Sequence, residues 1–156
     1  MNSEFRAVFQ ARWADMDFNG HMRNTAYLDY AADTRMLFFK ANGFRMSDFA
    51  RLKIGPVVFT DTISYRRELT MYQEFTVTLE LKGLSPDGAR FCFENRFADP
   101  DGKTIATVRS DACWFDLEKR KVTPPPETIP AIMNSLRKTD DFECIGSACP
   151  DRPAVA

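Results

Sequence analysis

The chain has 156 residues, a hydrophobic fraction of 44% and a formal net charge of −1. This length fits one domain with a sizeable core, and the balanced charge excludes the basic footprint that nucleic-acid binding requires. No run of residues is apolar for long enough to cross a membrane, and Met1–Arg6 lacks the apolar stretch of a secretory signal. We therefore expect a cytoplasmic protein without nucleic-acid or membrane partners.

The first predicted element is a β-strand. Along residues 5–13, apolar side chains alternate with polar ones, and Val8 alone interrupts the polar face. This period of two predicts a strand with one buried side. The apolar positions are Phe5, Ala7, Phe9, Ala11 and Trp13. The alternation stops at residues 14–22, whose content of Asp, Asn and Gly predicts a loop.

A long amphipathic helix is predicted next. The positions that face the core recur at steps of four and three residues, and they are Tyr27, Ala31, Thr34, Phe38 and Ala41. Asn24 or Thr25 can cap the start of this helix, and Asn42-Gly43 predicts its end.

Four strands and a second helix follow. The predicted strands cover residues 56–69, 75–81, 91–97 and 105–117. Short turn sequences such as Asp99-Pro100-Asp101-Gly102 join them, so neighbouring strands are antiparallel. Consecutive prolines at 124–126 end the sheet, and residues 129–136 predict a short C-terminal helix.

The predicted elements make one α+β domain over residues 1–138. A loosely ordered tail over residues 139–156 follows, in which Cys144 and Cys149 are expected to be ordinary thiols rather than a redox pair. One helix cannot cover both faces of a five-stranded sheet, so apolar surface remains for a partner. Homo-oligomerisation is therefore expected.

Polar side chains with catalytic potential lie between the first strand and the helix. They are Asp15, Asp17, Asn19, His21 and Asn24. A helix N-terminus offers unpaired amides that can stabilise an oxyanion, and a carboxylate just before it can attack a carbonyl or activate water. This arrangement suits acyl transfer to water. The alternative is that these residues only stabilise a loop and a helix cap.

Other chemistries find little support. The chain has one histidine, His21, and no G-x-S-x-G motif, which argues against a Ser-His-Asp hydrolase. It also lacks a phosphate-binding loop and a dinucleotide fingerprint. A metal site formed by Asp15, Asp17 and His21 is weak, because no distant ligand accompanies them.

Residues 12–27 have the sequence R-W-A-D-M-D-F-N-G-H-M-R-N-T-A-Y. This run resembles the R-W-x-D-x-D-x-x-G-H-x-x-N-x-x-Y signature of hotdog acyl-CoA thioesterases of the 4-hydroxybenzoyl-CoA thioesterase type, and the order of elements agrees over residues 5–124. The resemblance implies a hotdog fold, in which a five-stranded antiparallel sheet wraps around one long central helix. It also implies hydrolysis of acyl-CoA to a carboxylic acid and CoA, without a metal or an organic cofactor.

The same resemblance implies roles for the motif residues. Asp17 is the catalytic carboxylate, acting as nucleophile or general base, and the backbone amide near Asn24 binds the thioester oxygen. Gly20 allows the tight turn into the helix. His21 either contacts substrate or orients the loop, and Tyr27 lies in the core with its hydroxyl at the edge of the pocket.

Basic residues and a second subunit complete the implied site. Arg66, Arg67 and Arg90 are the candidates for contacts with the CoA moiety, and the alternative for Arg90 is an ordinary exposed strand residue. Sites in this family lie at dimer interfaces, so the resemblance implies a homodimer or homotetramer in which the partner completes each pocket. Asp15 is expected to be a structural hydrogen-bond partner. Arg23 stands where many relatives have Asn, a departure that bears on substrate class rather than on fold.

Two other functions fit the implied fold. An acyl-carrier-protein thioesterase would need a basic docking surface for an acidic partner, and the near-neutral charge argues against one. A non-catalytic acyl-CoA binding protein would have no use for a carboxylate beside the thioester, so Asp17 argues against that function. The content of Phe and Met, including Met16, Met22 and Met36, favours an apolar acyl pocket.

Overall fold

A computed structural model describes residues 2–146 of the chain. Its helices are α1 (Ala26–Ala41), α2 (Met46–Leu52) and α3 (Thr128–Met133), and a short 3₁₀ helix covers Trp13–Asp15. Its strands are β1 (Phe5–Gln10), β2 (Ile54–Tyr65), β3 (Glu74–Leu84), β4 (Arg90–Ala98), β5 (Thr104–Asp116), β6 (Lys121–Val122) and β7 (Lys138–Cys144). The predicted long helix, the strands on either side of it and the C-terminal helix are all present.

The main sheet has five strands in the order β1-β3-β4-β5-β2. Every neighbouring pair in this order is antiparallel, which confirms the predicted α+β architecture. Two shorter strands extend the sheet. β6 pairs with β5, and β7 runs parallel to β3 beyond the stretch of β3 that pairs with β1.

The hydrophobic core between α1 and the sheet contains two aromatic groups. In one, the rings of Phe49 and Trp114 stack with their centroids 5.6 Å apart. In the other, the rings of Phe75 and Phe97 stack at 5.9 Å. Full burial of one such side chain contributes about 2–3 kcal/mol. The second group lies next to Tyr27 in the first turn of α1, so core packing fixes the start of this helix.

The first strand ends earlier than predicted. β1 stops at Gln10, and the Trp13 side chain is 75% exposed instead of buried. The reason is Asp15, whose carboxylate accepts the backbone N–H of Arg12 at 3.0 Å and turns the chain into the 3₁₀ helix. Trp13 therefore fits the alternating apolar pattern of the sequence, but its side chain does not lie on the buried face of β1.

Besides the 3₁₀ helix, three ordered elements were not predicted, namely α2, the two-residue strand β6 and β7. Phe49 is the one buried residue of α2, so this helix lacks the apolar stripe that marks α1 in the sequence. β7 shows that the predicted loose tail is wrong for residues 139–144. An ion pair between Lys82 and Asp141 joins β7 to β3.

The exposed Cys144 ends β7, while Cys149 lies among residues 147–156, outside the described residues. Within residues 2–146, no helix has the length and apolarity needed to cross a membrane.

Candidate active site

The loop before α1 turns sharply between Asp17 and His21. The N–H of Asp17 donates to the carbonyl of His21 at 2.8 Å, and the N–H of Gly20 donates to the carbonyl of Asp17 at 3.1 Å. Gly20 has a φ of 76°, in the left-handed region that favours glycine. Gly20 therefore supplies the tight turn.

The turn holds the Asp17 carboxylate by one oxygen. Oδ1 accepts the backbone N–H groups of Asn19 at 2.8 Å and His21 at 3.3 Å. Oδ2 accepts no hydrogen bond from residues 2–146. The side chain is exposed, so it is oriented by the loop and still available to a ligand.

Asp15, two residues earlier, is fully buried. Its carboxylate accepts two hydrogen bonds from the Arg12 guanidinium, at 2.8 and 3.2 Å, and one from the Tyr30 hydroxyl. Burial favours the neutral acid, but these hydrogen bonds outweigh it and lower the pKa of Asp15 to about 2. Its carbonyl also accepts the N–H of Arg23 at 2.8 Å. Asp15 thus connects Arg12 and Arg23, which flank the loop of residues 14–22, to Tyr30 of α1.

A cavity of about 740 Å³ lies beside Asp17. Of the residues predicted for the site, it brings together Asp17, Asn24, Tyr27, Arg66 and Arg67. Met22, one of the methionines expected to favour an apolar pocket, also lines it, and the lining residues that the sequence did not suggest are Tyr65, Glu68, Gln73, Asp99 and Ile105.

Thr25, one of the two predicted alternatives, is the N-cap residue of α1, but its side chain makes no capping hydrogen bond. The Thr25 hydroxyl instead accepts Nη1 of Arg23 at 2.9 Å, and the Asn24 carbonyl accepts the Tyr65 hydroxyl at 2.9 Å. In the described part of the chain, the N–H groups of Asn24 and Tyr27 donate no hydrogen bond. Uncapped amides therefore remain at the helix start for a ligand.

Tyr27 is buried, and its ring lies 5.3 Å from the ring of Tyr65 in an edge-to-face arrangement. Burial raises the pKa of Tyr27 to about 12, with further contributions from Tyr65 and from the negative charges of Asp17 and Glu68. The hydroxyl therefore stays protonated at neutral pH and can act as a hydrogen-bond donor.

Three predicted residues lie outside the cavity lining, namely Gly20 in the turn, His21 and Arg90. Nε2 of His21 is 3.3 Å from the Glu68 carboxylate, so His21 contacts a lining residue without lining the cavity itself. Arg90 lies at the start of β4, where it is paired with Cys113 of β5. Its Nη1 atom is buried and has no hydrogen-bond partner among residues 2–146. The structure therefore separates Arg90 from Arg66 and Arg67.

A sheet curved around one long helix, with a carboxylate loop at the start of that helix, is the layout of hotdog thioesterases. The chain belongs to the thioesterase-like superfamily, whose sequence profile matches residues 11–133. The predicted hotdog fold and the predicted family are both confirmed.

An L-carnitine dehydrogenase/betainyl-CoA thioesterase of Rhizobium meliloti is 32% identical over 129 residues, which is 81% of this chain. The chain spans about a quarter of that relative, since the match covers 25% of its length.

Two solved structures share the fold. A 1,4-dihydroxy-2-naphthoyl-CoA thioesterase from Synechocystis has a TM-score of 0.76 at 14% identity, over 85% of this chain and 96% of that one. A Staphylococcus aureus protein solved in complex with CoA has a TM-score of 0.78 at 18% identity, over 96% of this chain and 98% of that one.

Proposed function

We propose that the protein hydrolyses acyl-CoA thioesters in the cavity beside Asp17. The observation that carries this proposal is an exposed carboxylate, held through one oxygen, next to uncapped amides at the start of α1. Asp17 either attacks the thioester carbonyl, forming an anhydride that water then cleaves, or takes a proton from the attacking water. The products are a carboxylic acid and the CoA thiol.

The start of α1 supports the other half of the reaction. As the thioester carbonyl is attacked, negative charge develops on its oxygen. The free amides of Asn24 and Tyr27 and the partial positive charge of the helix N-terminus favour that charge. The Tyr27 hydroxyl, which is protonated at neutral pH, is a further donor in the same cavity.

Arg66 and Arg67 are the proposed contacts for the CoA phosphates. Both backbone N–H groups donate to the carbonyl of Ile105, at 2.8 and 3.0 Å, so the pair is fixed at the cavity while both side chains stay exposed. Guanidinium groups bind phosphates strongly. Arg90 is not included, because it does not line this cavity.

Replacing Arg66 and Arg67 together with Ala is expected to raise KM for an acyl-CoA about tenfold, with a smaller effect on kcat. Steady-state thiol release measures both constants. The matched control replaces Arg45 and Arg51, two exposed arginines at α2, and removes the same charge away from the cavity. A second control is a thioester of N-acetylcysteamine, which has no phosphates, and which both proteins should cleave equally. An equal loss on that substrate would contradict phosphate binding.

A second copy of the chain is the proposed partner. β2 pairs with β5 on one side, and its other edge is unpaired in the described residues. Most side chains from Thr60 to Tyr65 are exposed, and so is Phe59. An unpaired edge strand of this length favours pairing with another chain. Light scattering coupled to size-exclusion chromatography tests the dimer or tetramer.

The direct test of the activity is thiol release from acyl-CoAs with short, long, aromatic and charged acyl groups. We expect turnover of at least one class. If CoA thioesters are not cleaved while the same acyl group on acyl carrier protein is, the function is that of a carrier-protein thioesterase. If neither is cleaved but acyl-CoA binds, the protein is a non-catalytic binder.

A further inference from the structure

A second, smaller cavity of about 190 Å³ lies between the middle of α1 and strands β2, β4 and β5. Its walls are mostly apolar and include the rings of Phe39, Phe91 and Phe93. Among the described residues that line it, Arg35 alone is charged, and Ser110 is the other polar side chain. An apolar cavity with one guanidinium has the composition of a specific ligand site.

Half of the Arg35 guanidinium is already bonded. Nη1 donates to Asn95 at 3.3 Å and to Ser110 at 3.1 Å. The Ser110 hydroxyl donates in turn to Asp61 at 2.6 Å. Nε and Nη2 make no hydrogen bond within residues 2–146, and Arg35 forms no ion pair there. Burial lowers the pKa of Arg35, and the charge of Asp61 opposes this shift. The guanidinium is thus a partly buried cation without a directly bonded counter-ion, and its free Nε and Nη2 atoms are not fully buried, so a ligand can reach them.

The two cavities share the same pair of walls. Tyr27 of α1 and Tyr65 of β2 line the larger cavity, while Arg35 of α1 and Val58 of β2 line the smaller one. Along α1, Arg35 lies about 14 Å from the helix start, at a rise of ~1.5 Å per residue. The smaller cavity therefore lies farther along the same two elements, and an acyl chain whose thioester lies at the start of α1 reaches Arg35 only by running between α1 and β2.

We propose that the smaller cavity is the acyl-group subsite of this thioesterase and takes an acyl chain that ends in a carboxylate, bound by Nε and Nη2 of Arg35. This inference rests on the proposed function. A carboxylate matches the two free donors in bidentate geometry and supplies the missing counter-charge. A neutral chain leaves the guanidinium unpaired, and a cationic acyl group such as betainyl is repelled.

The test compares pairs of substrates of equal length, adipyl-CoA with hexanoyl-CoA and suberyl-CoA with octanoyl-CoA. The wild type is expected to have a kcat/KM at least about tenfold higher for one diacid thioester than for its neutral match. Arg35→Gln should reduce this ratio by about tenfold. Arg109→Gln, a change at an exposed arginine next to Ser110 on β5, is the matched control and should leave the ratio as it is.

A second variant covers the case in which Arg35→Gln does not fold. Ala32 lines the same cavity and is exposed, so Ala32→Asp adds a carboxylate near Arg35 without disturbing the core. The new carboxylate should occupy Nε and Nη2 of Arg35 and so remove the preference in kcat/KM for the diacid thioester. A wild type that prefers neutral chains or betainyl-CoA, or a ratio that neither variant changes, would overturn the proposal.

A failure of thioester hydrolysis can be distinguished from a failure of carboxylate binding at Arg35. If no CoA thioester is cleaved, hydrolysis fails, and calorimetry with adipyl-CoA then decides the subsite alone. Binding that is weakened about tenfold by Ala32→Asp supports the subsite. Binding that is equal for adipyl-CoA and hexanoyl-CoA overturns it.

Discussion

Replacing Asp17 with Asn is expected to lower kcat by at least about 100-fold while the fold stays intact. The amide cannot attack a thioester or accept a proton from water at neutral pH. It does keep an Oδ1 acceptor for the N–H groups of Asn19 and His21, so the turn that holds the side chain is preserved. Thiol release and thermal unfolding of the same preparations separate loss of chemistry from loss of structure.

Asp99 provides a control of the same kind. It also lines the cavity, and its Oδ1 also holds a turn, by accepting the N–H of Lys103 at 2.9 Å. Asp99→Asn therefore removes the same charge from the same cavity and preserves the same type of backbone bond. We expect its kcat to stay within a few-fold of the wild type. Equal losses in the two variants would show that cavity charge matters rather than Asp17 chemistry, and an active Asp17→Asn would remove Asp17 from the mechanism.

The sequence predicted well those elements whose apolar spacing is set by burial. α1 buries Tyr27, Ala31, Thr34 and Phe38, four of the five positions predicted at steps of four and three residues, whereas Ala41 at the end of the helix is exposed. β1 alternates as expected over its observed length. α2 and β7 were missed because they bury few side chains, so their sequences carry little periodicity.

The candidate site residues within the run of residues 12–27 were predictable from the sequence. Those that reach the cavity from distant parts of the chain were harder to predict. Asp17, Asn24 and Tyr27 lie together because they are close in sequence. Arg66 and Arg90 looked equivalent in sequence, and the register of the sheet places only Arg66 at the cavity. Asp99 reaches the cavity through a turn whose sequence indicates a chain reversal but not its location in space.

The sequence also does not distinguish the environments of Asp15 and Asp17. The two carboxylates are two residues apart in one loop, yet the first is fully buried and the second exposed. The difference arises from Tyr30, one turn into α1, whose hydroxyl meets Asp15 in the interior. This buried contact makes Asp15 the anchor of the loop that presents Asp17.

Replacing Asp15 with Asn is accordingly expected to reduce the free energy of unfolding by about 3 kcal/mol at neutral pH. Both oxygens of the Asp15 carboxylate accept hydrogen bonds from Arg12 or Tyr30, whereas an amide has only one oxygen that can accept them. The substitution also leaves the Arg12 guanidinium without its counter-ion. Urea unfolding measures the change. Activity should fall as well, because the loop that positions Asp17 loses its attachment to α1.

Asp48 offers a matched comparison within the same chain. It follows Arg45 by three residues, as Asp15 follows Arg12, and it likewise accepts the arginine N–H, at 2.8 Å. Its side chain is 22% exposed and its ion pair with Arg45 is long, at 3.8 Å. Asp48→Asn should therefore cost less than about 1 kcal/mol. If both variants lose the same free energy of unfolding, the burial of Asp15 and its bond with Tyr30 do not add to the stability of the protein.

The dependence on pH provides an independent check on Asp15. Its pKa falls from an ordinary 3.8 to about 2 in the folded protein, so the folded state favours the ionised form. The resulting stability, about 2 kcal/mol, is fully present above about pH 4 and is lost as the pH falls towards 2. The stability gap between the wild type and Asp15→Asn should therefore narrow over that interval, because the protonated carboxyl of Asp15 and the amide that replaces it are both neutral. A gap that stays constant down to low pH would mean that Asp15 stabilises the loop through its shape and hydrogen bonds, not through its charge.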